Sequence, residues 1–240
     1  MKNFKITEKV DFQRDLNRND LCQKVHTVIT NETVTLYHGS KSGLRGTIAP
    51  VSRERCDFGK GFYMGTERTQ PLTLICNYPD AKIYTLNVDL SNLKILDVEV
   101  GLDWALLVAY NRGKMDSVKN SKMYKRFAEL SRDYDMIIGY IADDRMFVVL
   151  DRFFNGEITD VALVNSLSAL NLGKQYVALT ERACKNIKIV DEQKISEFDR
   201  DKLKEESEKN RSQGIALADE ICRKYRREGR FFDEILEEGE

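Results

Sequence analysis

Residues 57–66 read DFGKGFYMGT, an aspartate, two glycines around a lysine, an aromatic pair and a third glycine. Gly59-Lys60-Gly61 has the composition of a tight turn, and the GFYMG that follows reads as a short strand. Glycines so close together also let a ligand approach the backbone, so the same residues make a candidate pocket wall. The spacing is not that of a Walker loop, and no G-x-G-x-x-G opens a helix after a strand anywhere in the chain. Whatever this turn does, it does not belong to either of those phosphate-cradling classes.

Working upstream, TVTLYHGS (33–40) alternates Val34, Leu36 and His38 against Thr35 and Tyr37, the period of a strand, and KSGLRGTIAP continues as loop. Residues 1–32 are polar and mixed, and read as an extension of one or two helices packed on the outside. Downstream, TERTQPLTLICN suggests a helix capped by Thr66 with Pro71 near its first turn. AKIYTLNVDL (81–90) alternates Ile83, Thr85, Asn87 and Asp89 against Tyr84, Leu86, Val88 and Leu90, and LKILDVEV reads as a further short strand. LDWALLVAYNRG (102–113) reads as a helix with Gly113 near its C-cap. YDMIIGYIA suits a buried strand. Asp143 and Asp144 then cap a helix RMFVVLDRFFNG, and Thr159 or Asp160 caps another over ITDVALVNSLSAL. KQYVALT is a strand, ERACKNI a short helix or turn capped by Glu181, and KIVDEQ the last strand.

Strands and helices mix without strict βαβ alternation, which favours an α+β core over a doubly wound sheet. The division that follows is an extension (1–32), a core domain (33–191) and a charged helical tail (192–240). In that tail FDRDKLKEESEKNRSQ is almost wholly polar, after which Ala218, Ile221, Cys222 and Tyr225 return at helical spacing. It reads either as a solvated helix docking by its last turns or as a partner-binding tail.

The totals narrow the chemistry. Lys+Arg 38 against Asp+Glu 39 leaves a formal charge of −1, so no global positive field gathers nucleic acid. Five scattered cysteines without C-x-x-C spacing argue against a zinc site or disulfide framework. His26 and His38 are the only two histidines, so no metal site is expected. No apolar run approaches the roughly 20 residues that span a bilayer. MKNFKITEKVDFQRD lacks an apolar signal core. The expectation is a cytoplasmic protein with no membrane partner.

His38 is followed by Gly39, whose backbone N–H and C=O a planar ligand can reach. Tyr63 follows the Gly-x-Gly turn and offers a ring that stacks on a flat cation. Each alone has a plain structural reading. Together, LYHGS (36–40) and FGKGFYMG (58–65) resemble the diphtheria-toxin-like branch of the ADP-ribosyltransferases. DFGKGFY, YDMIIGYIADDRMF and KQYVALTERACKNIKIV resemble successive blocks of a little-characterised bacterial family within that clan, over about residues 33–191.

The resemblance implies a split β-sheet core with surrounding helices, and NAD as substrate. His38 would hydrogen-bond a ribose hydroxyl, Gly39 would offer its backbone to the carboxamide, and Tyr63 would stack on the nicotinamide ring. Ser40, Gly59, Lys60 and Gly61 would line the same site, Lys60 near the pyrophosphate. Gln175 stands where a catalytic glutamate often does. Relatives that make polymers carry a hydroxyl residue and a second stacking tyrosine eight and eleven positions beyond the first; here these are Pro71 and Leu74. With Gln175, that argues against poly(ADP-ribose) synthesis.

Breaking the nicotinamide–ribose bond builds positive charge on the sugar, and a protein helps by fixing the leaving group and orienting the ribose. Gln175 can hold a hydroxyl but cannot accept a proton. Either the acceptor is already nucleophilic, or a carboxylate such as Asp57, Asp143 or Asp144 assists; turn and helix capping is the plain role of all three. The implied function is mono-ADP-ribosyl transfer to a protein or nucleic acid, as a bacterial toxin or defence effector whose tail holds a neutralising partner. The alternatives are an NAD glycohydrolase and a non-catalytic module that binds NAD or ADP-ribose. An RNA 2′-phosphotransferase would call for more basic residues and a second histidine in place of Tyr63. All three catalytic assignments require imidazole, phenol and amide to converge on one dinucleotide.

Overall fold

In the computed structural model, which describes residues 25–28, 30–130, 132–141, 144–169 and 173–238, eight strands form one mixed sheet. The strands are β1 (Val25–Val28), β2 (Thr33–Ser40), β3 (Phe62–Gly65), β4 (Lys82–Asp89), β5 (Ile95–Val98), β6 (Met136–Tyr140), β7 (Lys174–Ala178) and β8 (Ile187–Lys194). Their order is β1-β5-β6-β7-β3-β2-β4-β8. Only β5 and β6 run parallel among these pairs, so hairpin-like neighbours dominate. The helices are α1 (Thr69–Ile75), α2 (Leu102–Asn111), α3 (Lys122–Leu130), α4 (Asp144–Phe154), α5 (Asp160–Ala169), α6 (Glu181–Lys185), α7 (Glu197–Tyr225) and α8 (Phe232–Glu238). A mixture of helices with a largely antiparallel sheet is the α+β class that the sequence predicts.

Alternation decides which face each strand buries. Leu36, Phe62, Met64, Tyr84, Leu86, Met136 and Ile138 form a core on one face, closed by Ala183 and Cys184 of α6. Ile137 and Val177 point to the other face, into the main core with Trp104 of α2, Phe127 of α3 and Phe153 of α4. Every residue of α2 from Asp103 to Ala109 is buried, because sheet and helices surround it.

Two halves of the sheet meet at β2 and β3. β2 pairs with β4 along all eight residues, from Thr33↔Asp89 to Ser40↔Lys82. β3 pairs with β7 along its whole length. Between β2 and β3, however, Tyr37↔Gly65 is the single register pair. The strands part at His38, and the candidate site lies at that seam.

Several local expectations change. Residues 25–28, expected within an outer helical extension, form edge strand β1 against β5; residues 1–24 of that extension lie outside the described residues. Thr66 does not cap α1: its Oγ1 accepts from the Lys174 N–H at 3.1 Å, which ties the end of β3 to β7. Thr180, not Glu181, caps α6, accepting from Ala183 N–H. Thr159 caps α5 through Ala162 N–H. Asp143 lies outside the described residues and Asp144 opens α4. Helix α3 went unread although Met123, Phe127 and Leu130 carry its apolar stripe.

The segment beyond β8 packs back on the domain. Leu203 of α7 is buried beside Ile75 and Ile83, and Ala218 lies in the main core. Phe232, Ile235 and Leu236 of α8 join that core. The Phe232 ring sits 5.3 Å from both the Phe153 and Phe154 rings. Among the described residues no helix is long and apolar enough to cross a membrane.

Candidate functional site

At the seam, His38 takes the place of the missing ladder. Its Nδ1 donates to the Tyr63 carbonyl at 2.7 Å. A carbonyl only accepts, so the proton sits on Nδ1 and the neutral ring keeps Nε2 as an acceptor. The imidazole stacks on Phe62, with centroids 4.3 Å apart and planes 24° from parallel. Burial lowers its pKa below the ordinary 6.5, against a weaker upward pull from the Tyr63 carbonyl, so the ring is neutral at neutral pH.

Tyr63 belongs to the opposite face. Its O–H donates to the Gly59 carbonyl at 2.7 Å and accepts from the Phe58 N–H at 3.0 Å. Burial above all keeps the phenol protonated, with its pKa well above the ordinary range. The turn that holds it is built from glycine for local reasons. Gly59 has φ +75°, a left-handed conformation that suits glycine. A Cβ on Gly61 would lie 2.5 Å from Val177 Cγ1, so only glycine lets the turn sit this close to β7. Phe58 is buried because Gly139 makes room for it: a Cβ there would meet the Phe58 ring at 2.4 Å.

Gln175, only 7% exposed, shares the Tyr63 face, opposite Gly65 in the β3–β7 pairing. Its Nε2 donates to the Tyr140 carbonyl at 2.9 Å and to Asp57 Oδ2 at 3.2 Å. Asp57 Oδ1 in turn accepts from Arg112 Nε at 3.0 Å and from Arg112 Nη2. Arg112 is the C-cap of α2.

The structure therefore brings Tyr63, Gln175 and Asp57 together around the 57–61 turn. His38 meets this group only through the Tyr63 carbonyl, with its ring on the Phe62 face. Gly39 is backed by α1, whose Pro71 carbonyl would stand 2.9 Å from a Cβ at that position. Pro71 is buried, while Leu74 is 54% exposed. Ser40 ends β2 opposite Lys82, and Lys60 is exposed at the turn. Arg112 and the Tyr140 carbonyl were not singled out from sequence. An arginine before a glycine at a helix end has an ordinary dipole-capping reading, and a backbone carbonyl leaves no residue-type signal. Among the described residues no group of three or more His, Cys, Asp or Glu side chains is placed to hold a metal ion.

Residues 34–189 match the family described as Protein of unknown function (DUF3990). The chain belongs to this family. The DUF3990 match runs from β2 into β8, so it spans His38, the 57–61 turn, Arg112 and Gln175, while α7 and α8 lie beyond it. No curated protein and no solved structure matches the chain.

Proposed function

We propose that this chain is a mono-ADP-ribosyltransferase of the diphtheria-toxin-like type, which splits NAD at the β2–β3 seam, releases nicotinamide and passes ADP-ribose to a macromolecule. The observation that carries this reading is the hydrogen bond from His38 Nδ1 to the Tyr63 carbonyl. It joins the two motif blocks on which the resemblance rests, at the point where their strands part, and it leaves Nε2 free in its lone pair to accept a ribose hydroxyl. Gly39 follows on β2, and Gln175 stands on β7 opposite Gly65 of β3.

In this reading His38 and Gly39 hold the nicotinamide end at the seam, while Tyr63 and Gln175, whose side chains lie on the other face of the sheet, meet the same NAD when the seam between β2 and β3 opens to admit it. Bond cleavage moves the electron pair to nicotinamide nitrogen, and the acceptor's nucleophilic atom closes on the anomeric carbon as its proton leaves to solvent. Gln175 carries no charge, so an acceptor with its own nucleophilicity suits the site better than water. A role as toxin or defence effector, with a neutralising partner on the outer face of α7, belongs to the same proposal and rests on the resemblance.

Incubation of the purified protein with NAD labelled in the adenylate phosphate, together with cell extract, tests it. Nicotinamide release with label on protein or nucleic acid is the expected result. Free ADP-ribose without labelled macromolecule makes the chain a glycohydrolase. NAD binding without nicotinamide release in any mixture makes it a binding module and overturns the proposal.

A further inference from the structure

The amide of Gln175 is surrounded by oxygen. Tyr140 C=O and Asp57 Oδ2 both lie within hydrogen-bond distance of Nε2, at 2.9 and 3.2 Å. A carbonyl and a carboxylate are acceptors, so the N–H2 end of the amide must face them, and its orientation follows from its partners. Asp57 has little freedom to turn away. Its Oδ1 takes two bonds from Arg112, and the two side chains are only 14% and 8% exposed. Gln175 Oε1 accepts no hydrogen bond among the described residues.

Resting on the NAD reading above, we infer that Asp57, clamped by Arg112, is a positioning residue that turns the Gln175 N–H2 inward and leaves Oε1 as the atom the site offers to a ribose hydroxyl. Asp57 is thus not a substitute base, since N–H donors engage both its oxygens. The neighbouring residues Phe58 and Gly59 hold the Tyr63 hydroxyl, so one turn sets both the phenol and the amide. The pocket is built around an amide. A carboxylate at position 175 would face two acceptors and no donor, which disfavours its ionised form.

Gln175→Glu, alone and with Asp57→Asn, is the test. Selectively labelled glutamate carboxyls are followed by NMR across pH, without NAD. In the single variant the introduced carboxyl titrates at least one unit above the ordinary value of about 4.3, and Asp57→Asn moves it back down. An ordinary midpoint in the single variant, or one indifferent to Asp57→Asn, overturns the clamp. If Gln175→Glu does not fold, hydrogen exchange of the Gln175 side-chain N–H2 in the unaltered chain takes its place. Protection that falls in Asp57→Asn supports the clamp, and protection unchanged there overturns it. Kinetics then separate positioning from mere support: Asp57→Asn lowers kcat for nicotinamide release about tenfold, with KM changed less than threefold. An unchanged kcat, or a loss confined to KM, removes the catalytic sense of the clamp. An altered titration with no NAD turnover in the unsubstituted chain overturns the NAD reading and that catalytic sense together, leaving the Asp57–Gln175 contact as structure alone.

Discussion

His38 carries a pH dependence because its ring is held neutral. In the folded chain the imidazole's pKa is depressed by burial, whereas in the unfolded chain it returns to the ordinary 6.5. As pH falls below 6.5, the unfolded state takes up a proton that the folded state refuses, so stability decreases until pH passes the lowered folded value. The slope from this one group reaches at most about 1.4 kcal/mol per pH unit. Denaturant unfolding at pH 7.5 and 5.5 measures it. His38→Gln, which keeps the size and one donor, should lose less stability across that interval than the unaltered chain. An equal loss would mean the imidazole is protonated in the folded state. Tyr63 gives a second expectation at the same scale. Tyr63→Phe leaves the Phe58 N–H and Gly59 C=O without the hydroxyl that joins them, at a cost of about 1–3 kcal/mol. A midpoint within error of the unaltered protein would show the turn is held by Phe58 packing alone.

The 57–61 turn shows, at the level of elements, what could be read beforehand. Its glycines, its strand and Tyr63 were legible because each leaves a residue-type signal: φ above zero, close approach, and an aromatic beside them. Alternation placed β2 and β4, and the apolar runs placed β6 and β7, since half-buried and buried strands each have a recognisable pattern. The partners of Gln175 were hidden for a physical reason. Asp57, Arg112 and Tyr140 are distant in sequence and converge only when α2 and β6 pack beside β7. Helix α3 has a weak signal because Lys122, Lys125, Arg126 and Glu129 alternate with its apolar positions and lower its average hydropathy. The faces were hidden too: His38 and Tyr63 looked equivalent along the chain, yet strand pleating sends their rings to opposite sides. A prediction follows for the turn as a unit. Gly61→Ala forces a methyl to 2.5 Å from Val177 Cγ1 and 3.0 Å from the Ala178 carbonyl. Because that neighbour includes backbone, the expected loss is about 1–3 kcal/mol, with the turn displaced from β7. Gly46→Ala has open space, so whatever it costs comes from φ +73° alone. Thermal unfolding of the two variants should separate contact from conformation, with Gly61→Ala the worse.

For the molecule as a whole, the charged composition after residue 196 conceals how the chain closes. α7 turns Ala218 inward, and α8 packs Phe232 against both the Phe153 and Phe154 rings of α4, where it is 3% exposed. α4 lies in the same core as Trp104 of α2 and Ile137 of β6, on the face of the sheet to which Gln175 also points. The last helix is therefore joined to the site through continuous packing, not through the linker. If so, tail and domain unfold together. Phe232→Ala should cost about 3–5 kcal/mol by emptying an aromatic site in the core, and it should move the entire denaturant transition. Phe198→Ala, at a ring 69% exposed on α7, should stay within about 0.5 kcal/mol of the unaltered chain. Fluorescence of Trp104 reports the domain core, and far-ultraviolet circular dichroism reports all the helices, with the 29-residue α7 the longest of them. Coincident transitions that shift together in Phe232→Ala are expected. A helical signal that melts early while Trp104 stays in place would mean that the two parts fold independently, and that anything bound on α7 cannot reach the seam through the core.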